Sequence, residues 1–172
     1  MSARLAWSKW FLKTLVPYGA RLLTEEYDEY GGIRVIELGR YRALYFDSPS
    51  CQGRLHLKKP WKPSSEYLHS LMVGASYAQN INRILILGLG PGALVHTLHH
   101  LYPKAMIETV ELREKVSQLA RSYFDLPTQT DSFKHTIDDA THFIKRTHQA
   151  YDLIIVDMAM SCLLYTSPSP RD

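Results

Sequence analysis

Between Ile84 and Asp157 the chain alternates short strand-like runs with helix-patterned stretches. Ile84 to Leu87, Ile107 to Val110, Phe133 to Ile137 and Leu153 to Val156 read as strands of four or five residues. Each ends on glycine or an acid: Gly88-Leu-Gly-Pro-Gly92, Glu111, Asp138-Asp139 and Asp157. Strand regularly followed by helix predicts right-handed βαβ units and a parallel sheet. In such a sheet the carboxyl ends of the strands line one edge, and ligands bind there. The pattern as a whole predicts a nucleoside-binding crevice.

Upstream the pattern differs. Residues 22–57 are β-rich: Ile33 to Leu38 partly alternates, Gly39-Arg40 offers a turn, Tyr41 to Phe46 resumes with aromatics, and a short strand fits Gly53 to Leu57. The loop from Lys58 to Ser65 carries Lys58, Lys59 and Lys62 around Trp61; it reads as a solvated connector, with phosphate contact as the alternative. Ser64 or Ser65 can cap a helix starting near Glu66, with Leu68, Leu71, Met72 and Ala75 on its buried face. Near the amino terminus Trp7, Trp10, Phe11 and Leu15 share one helical face, and Pro17 would end that helix. A basic amphipathic helix can lie on a membrane surface, but packing on its own protein or on a partner subunit is the expectation. The chain thus divides into a basic amphipathic segment (1–22), a small β lobe (23–62), a parallel-sheet α/β domain (63–161) and a tail (162–172).

The tail, Cys162-Leu-Leu-Tyr-Thr-Ser-Pro-Ser-Pro-Arg-Asp172, reads as a frame translation of a transposon-end adaptor from shotgun sequencing rather than as protein. The expectation is a gene fragment that stops just after its fourth core strand. Excluding the tail leaves Cys51 alone, so no disulfide framework exists and a reducing, cytoplasmic compartment is expected. Cys51 itself reads as a small buried apolar residue rather than a nucleophile. A net charge of +3 does not argue for nucleic acid, and no apolar run approaches a membrane span. His96 and His100 stand one helical turn apart, but no third ligand accompanies them, so packed or solvated helix histidines are expected and no metal.

The chemistry concentrates on the crevice. Gly88, Gly90 and Gly92 allow backbone to approach a ligand, and the helix beyond offers unpaired N–H groups. With Ala93 the loop even fits the dinucleotide pattern G-x-G-x-x-A. Glu111 is placed to accept from two ribose hydroxyls, a feature shared by NAD and S-adenosylmethionine binders. Asp138 and Asp139, followed by Ala140 and a helix, favour an adenosyl sulfonium ligand: one carboxylate can take an exocyclic adenine amine while the other caps the helix. Asp157 is a strand-end carboxylate, and Tyr67 either stacks on a substrate or begins its helix's buried face.

These residues resemble the spermidine synthase family, the polyamine aminopropyltransferases, and more closely its divergent bacterial spermidine-synthase-like branch. The resemblance rests on Phe46-Asp-Ser-Pro-Ser-Cys-Gln52, Tyr67-Leu-His-Ser-Leu-Met72, Leu85 to Gly92, Val110-Glu-Leu112, Ala120-Arg-Ser-Tyr-Phe124, Asp139-Ala-Thr-His-Phe143 and Tyr151 to Asp157. It implies an α/β fold: a Rossmann-like, methyltransferase-type parallel sheet, truncated here, preceded by a small β lobe. It implies that Glu111 holds the ribose, Asp139 reads the adenine, Asp157 is the catalytic acid, and Gln52 and Tyr67 lie near the substrates. Decarboxylated S-adenosylmethionine is the implied co-substrate and a small amine such as putrescine the acceptor, with a homodimer possible.

Three departures accompany the resemblance. The family carries an acid where Pro91 stands, another where Met160 stands, and a glutamate near Ser70 and Leu71. A charge-assisted hydrogen bond is worth about 1.5–3 kcal/mol, so these losses weaken recognition of a cationic amine. The expected function is aminopropyl transfer; the alternatives are a methyltransferase using intact S-adenosylmethionine and a noncatalytic adenosyl-binding module. Made alone, a chain whose Leu153 to Val156 strand is an unprotected edge is expected to aggregate. A soluble product with cooperative unfolding, by light scattering and urea titration, would contradict that.

Overall fold

The computed structural model describes residues 3–78 and 80–158. Pro91 and the Ser70–Leu71 pair therefore fall inside the described residues, while Met160 and the 162–172 tail lie outside them.

Two four-stranded sheets organise the fold. The first is an antiparallel meander of β1 (Arg21–Asp28), β2 (Gly31–Leu38), β3 (Tyr41–Tyr45) and β4 (Cys51–His56). The second is parallel: β5 (Arg83–Leu87), β6 (Met106–Glu111), β7 (Phe133–Ile137) and β8 (Leu153–Val156), in the order β7-β6-β5-β8. Helices α3 (Ala93–Leu101), α4 (Glu114–Phe124) and α5 (Ala140–Arg146) connect its strands, while α1 (Ala3–Thr14) and α2 (Glu66–Ala75) precede each sheet. All four strands read from the pattern after Ile84 are present, and they are parallel as expected. The order reverses beside β5, and that switch point opens a crevice at the carboxyl ends of β5 and β8.

One core runs through both sheets. Ile33, Val35, Leu44 and Leu55 from the meander pack in a single cluster with Ile84, Ile86, Leu94, Leu98, Leu119 and Phe133. Ser65 caps α2 by accepting from the Leu68 amide at 3.2 Å, and the face carrying Leu68, Leu71, Met72 and Ala75 turns inward. The other face of β2 meets α1. There Trp7 and Phe11 are buried with Ile36, and Trp10 and Leu15 pack against them. The apolar side of the amino-terminal helix is thus covered by its own chain.

Burial of both faces explains why β2 only partly alternates: Arg34 is fully buried between its apolar neighbours. Its charge is met by Glu25 at 2.9 Å and Asp47 at 3.1 Å, and its guanidinium lies 4.2 Å from the centre of the Trp7 ring. Pairing and stacking together make burial of that charge tolerable.

Cys51 departs from expectation: it is exposed, at the start of β4, where its Sγ lies 3.3 Å from the Gly53 carbonyl. A register shift in β4 beside Tyr45 turns it out of the core. His96 and His100 of α3 are packed and stacked, respectively. His96 meets the Phe124 carbonyl at 2.8 Å, and His100 stacks on Trp61 with ring centres 5.3 Å apart.

His135 is buried in β7 between Thr109 Oγ1 (2.7 Å) and Ser117 Oγ (2.9 Å), and burial pulls its pKa from 6.5 down to about 4. A folded-state pKa below the unfolded value means the neutral ring's stabilisation is complete above pH 6.5 and is lost as pH falls towards 4. The loss amounts to about 3 kcal/mol at most. Urea denaturation between pH 7 and 4 should therefore show a steep fall for wild type and a shallower one for His135→Gln; equal slopes would assign the acid sensitivity elsewhere.

Candidate active site

Parallel register brings the strand ends to one edge. The Gly88 amide donates to Val110 O at 2.8 Å, Asp157 to Leu87 O at 2.8 Å, and Asp138 to Glu111 O at 3.0 Å. These bonds carry the Gly loop, Glu111, Asp138 and Asp157 side by side along the crevice.

Gly88 is required by contact as well as by conformation. Its φ is +97°, and a Cβ there would lie 2.1 Å from the Asp157 carbonyl oxygen. Gly90 and Gly92 also have positive φ, and Gly92 leads directly into α3. Pro91 is buried in the same loop. A Cβ on Gly53 of β4 would come within 2.7 Å of its ring, so Pro91 and Gly53 are in close contact between the two sheets. Gln52 belongs to the same seam: its backbone carbonyl passes 3.9 Å from a Cβ built on Gly90, while its side-chain amide donates to Ser50 O at 3.2 Å.

Glu111 is nearly buried at 9% exposure, and two amides fix its carboxylate. Leu89 N of the Gly loop donates to one oxygen and Arg113 N to the other, each at 2.9 Å. A carboxylate has about four acceptor positions, so a pair of hydroxyls can still be received.

The two aspartates after β7 divide their work. Asp139 caps α5, accepting from Thr141 N at 2.7 Å and His142 N at 3.1 Å, and the His142 amide foremost, with that of Thr141, holds its carboxyl below the usual range. Asp138 faces Arg146 at 2.7 Å and also accepts from the Asp139 amide. Ala140 opens α5 and packs on the cluster of Leu85, Leu87, Val110 and Phe143. The resemblance assigns Asp139 to the adenine; the structure shows that one of its oxygens is already occupied as a helix cap.

Asp157 and Tyr67 are 90 positions apart and in direct contact: the Tyr67 hydroxyl donates to Asp157 Oδ1 at 2.7 Å. Burial pushes the Asp157 carboxyl up from its ordinary value, and the Tyr67 bond partly opposes that. Tyr67 is pushed up to about 12, by burial and then by the carboxylate. The result is a partly desolvated carboxylate oriented by a tyrosine at the switch point. Among the described residues no group of three or more His, Cys, Asp or Glu is placed to hold a metal, and no helix is long and apolar enough to cross a membrane.

Sequence reasoning missed Arg113. It is 8% exposed and forked on Asp28 of β1 (2.9 and 2.6 Å), with Phe46 4.3 Å from its guanidinium. Its backbone amide holds Glu111 while its side chain holds the meander, so one residue joins the first sheet to the crevice. The only signal in sequence was a cation two positions past a strand-end acid.

The sheet order, the Gly-rich turn and the strand-end acids define a Rossmann-like fold of the methyltransferase type with an amino-terminal antiparallel sheet. The spermine/spermidine synthase domain family matches residues 65–165, and the chain belongs to that family. It is 31% identical to a polyamine aminopropyltransferase of Vibrio vulnificus over 144 residues, which is 79% of this chain and 48% of that protein. It is 35% identical to a probable polyamine aminopropyl transferase of Bifidobacterium longum over 91 residues, 53% of this chain and 20% of the relative. The chain therefore spans less than half the length of these curated relatives. The crystal structure of a probable spermidine synthase from Corynebacterium glutamicum shares the fold, with a TM-score of 0.69 at 24% identity over 78% of this chain and 51% of that one.

Replacing Arg113 by Met would strand the Asp28 carboxylate, whose side chain is only 11% exposed. Breaking such a buried pair costs about 3–5 kcal/mol. Urea midpoints should fall accordingly for Arg113→Met and recover in part in the Asp28→Asn/Arg113→Met double variant; a loss below about 1 kcal/mol would place this pair with ordinary surface ion pairs.

Proposed function

We propose that the full-length protein transfers an aminopropyl group from decarboxylated S-adenosylmethionine to putrescine or a similar amine. The observation that carries this reading is the Tyr67–Asp157 pair at the end of β8, a partly desolvated carboxylate beside the Gly loop. Glu111 would hold the ribose and the Gly88–Gly92 loop the backbone side of the nucleoside. Asp138 and Asp139 would border the adenine, with the uncommitted oxygen of Asp139 accepting its amine.

An ammonium has no lone pair, so the acceptor must lose a proton before it reacts. Asp157 anchors the cation and takes that proton. The amine nitrogen then bonds to the propyl carbon beside the sulfonium, the carbon–sulfur bond breaks, and its electron pair returns to sulfur. The nucleoside leaves as a neutral thioether. Once the amine is neutral, orientation in the crevice supplies much of the acceleration. Pro91 bears on the choice of substrate, because the Gly loop offers an amine no carboxylate there. That departure favours a second reading, methyl transfer from intact S-adenosylmethionine.

Mass spectrometry after incubation with putrescine and each sulfonium separates the readings. Methylthioadenosine and spermidine from the decarboxylated co-substrate alone support the first; a methylated acceptor with S-adenosylhomocysteine supports the second. General base catalysis contributes about 10²–10⁴-fold, so Asp157→Asn should lower kcat by that order. Asp157 works ionised, and kcat/KM should fall as pH drops through its raised pKa. Tyr67→Phe removes a bond that lowers this pKa, so the acid limb should move to higher pH. An unmoved limb would sever Tyr67 from the base.

A further inference from the structure

A cavity of about 670 Å³ lies on the amino-terminal sheet and shares no residue with the crevice. Its wall carries Arg40, Lys58, Lys59 and Lys62 around Tyr41 and His56, and no Asp or Glu lines it. Among the described residues, no ion pair joins any of these four cations to a carboxylate.

The sheet holds this wall in place. Tyr41 and His56 are register partners across β3 and β4, their rings edge to face at 5.3 Å. The Lys58 amide donates to His56 Nδ1 at 3.1 Å, so the ring's own donor is Nε2. The Leu57 amide donates to Arg40 O at 2.9 Å, drawing the β2–β3 turn beside the lysine loop. On the far side Arg54 donates twice to Ser64 O, at 3.0 and 2.7 Å, and the Ser64 hydroxyl returns a bond to Arg54 O at 2.6 Å. Both ends of the Lys58–Ser64 loop are therefore tied to the sheet. Four like charges around one concavity repel one another, and a bound anion relieves that repulsion while accepting several charge-assisted bonds.

We propose that this cavity is an anion site for a polyphosphate chain, free or carried by a nucleotide. Arg40 and the three lysines engage phosphate oxygens, and His56 adds an N–H donor. Several cations are needed because one exposed pair contributes little, whereas a chain of phosphates meets all four at once. Tyr41 supplies a partly exposed ring at the rim, against which a nucleotide base could rest.

The probe is inorganic tripolyphosphate, which carries no adenosine and so does not report on the crevice. Isothermal titration at low salt should give a sub-millimolar Kd that weakens as salt rises. The Lys58→Gln/Lys59→Gln/Lys62→Gln variant should bind at least tenfold more weakly, while Glu111→Gln should leave affinity unchanged. ATP binding to the Glu111→Gln variant with the same lysine dependence identifies a nucleotide-borne chain; tripolyphosphate binding alone identifies the free one. Affinity that ignores the lysine substitutions, or no heat at low salt, overturns the site. Loss on Glu111→Gln would assign the binding to the crevice instead. Failure here leaves aminopropyl transfer untouched, because the two sites have no residue in common.

Discussion

At the switch point the backbone of β8 passes so close to β5 that Gly88 has no room for a side chain: a Cβ would meet the Asp157 carbonyl at 2.1 Å. That approach places the last strand-end carboxylate beside the Gly-rich turn. Glu111 then pins the turn from the other side through the Leu89 amide, and Pro91 packs the turn against Gly53 of the first sheet. The crevice is thus a backbone construction first, with its acids hung on an edge whose spacing the parallel hydrogen bonds set.

The two sheets are held together at this same place. A shared core supplies the bulk attraction, while the Arg113–Asp28 fork fixes orientation. Because the Arg113 amide also fixes Glu111, a shift of the meander would be felt at the Glu111 carboxylate. Arg34 does the equivalent work on the outer side, tying β1, the end of β3 and α1 around one buried charge. Pro91 gives the Gly loop an apolar contact between the sheets, against Gly53 of β4.

The parallel sheet was legible because its strands are short runs ending in glycine or acid, a pattern that depends only on neighbours in sequence. The helix over Glu66–Ala75 was legible for the same reason, from its serine cap and apolar spacing. β1 was not resolved as a separate strand: its positions are mostly half-exposed, and its pairing shifts register between Leu22 and Thr24. The Arg113–Asp28 fork was not legible either, since the partners stand 85 positions apart and only the folded register brings them together. Cys51 was misjudged as buried because a register shift, invisible in composition, turns it outward. For Asp138 and Asp139 the sequence left open which would cap; the structure assigns the cap to Asp139 and an arginine to Asp138. The Tyr67–Asp157 contact gives Tyr67 a hydrogen-bonded place at the crevice, not one on its helix's buried face.

The proposed transfer makes the crevice a holder for an adenosyl thioether, with Glu111 as its fixed point. The most direct measurement is calorimetric binding of methylthioadenosine to wild type and to Glu111→Gln. If Glu111 receives the ribose hydroxyls, wild type binds and the variant is weakened by about tenfold or more, the loss of a charge-assisted pair. Equal affinity in the two proteins would contradict the assignment of this crevice to the nucleoside.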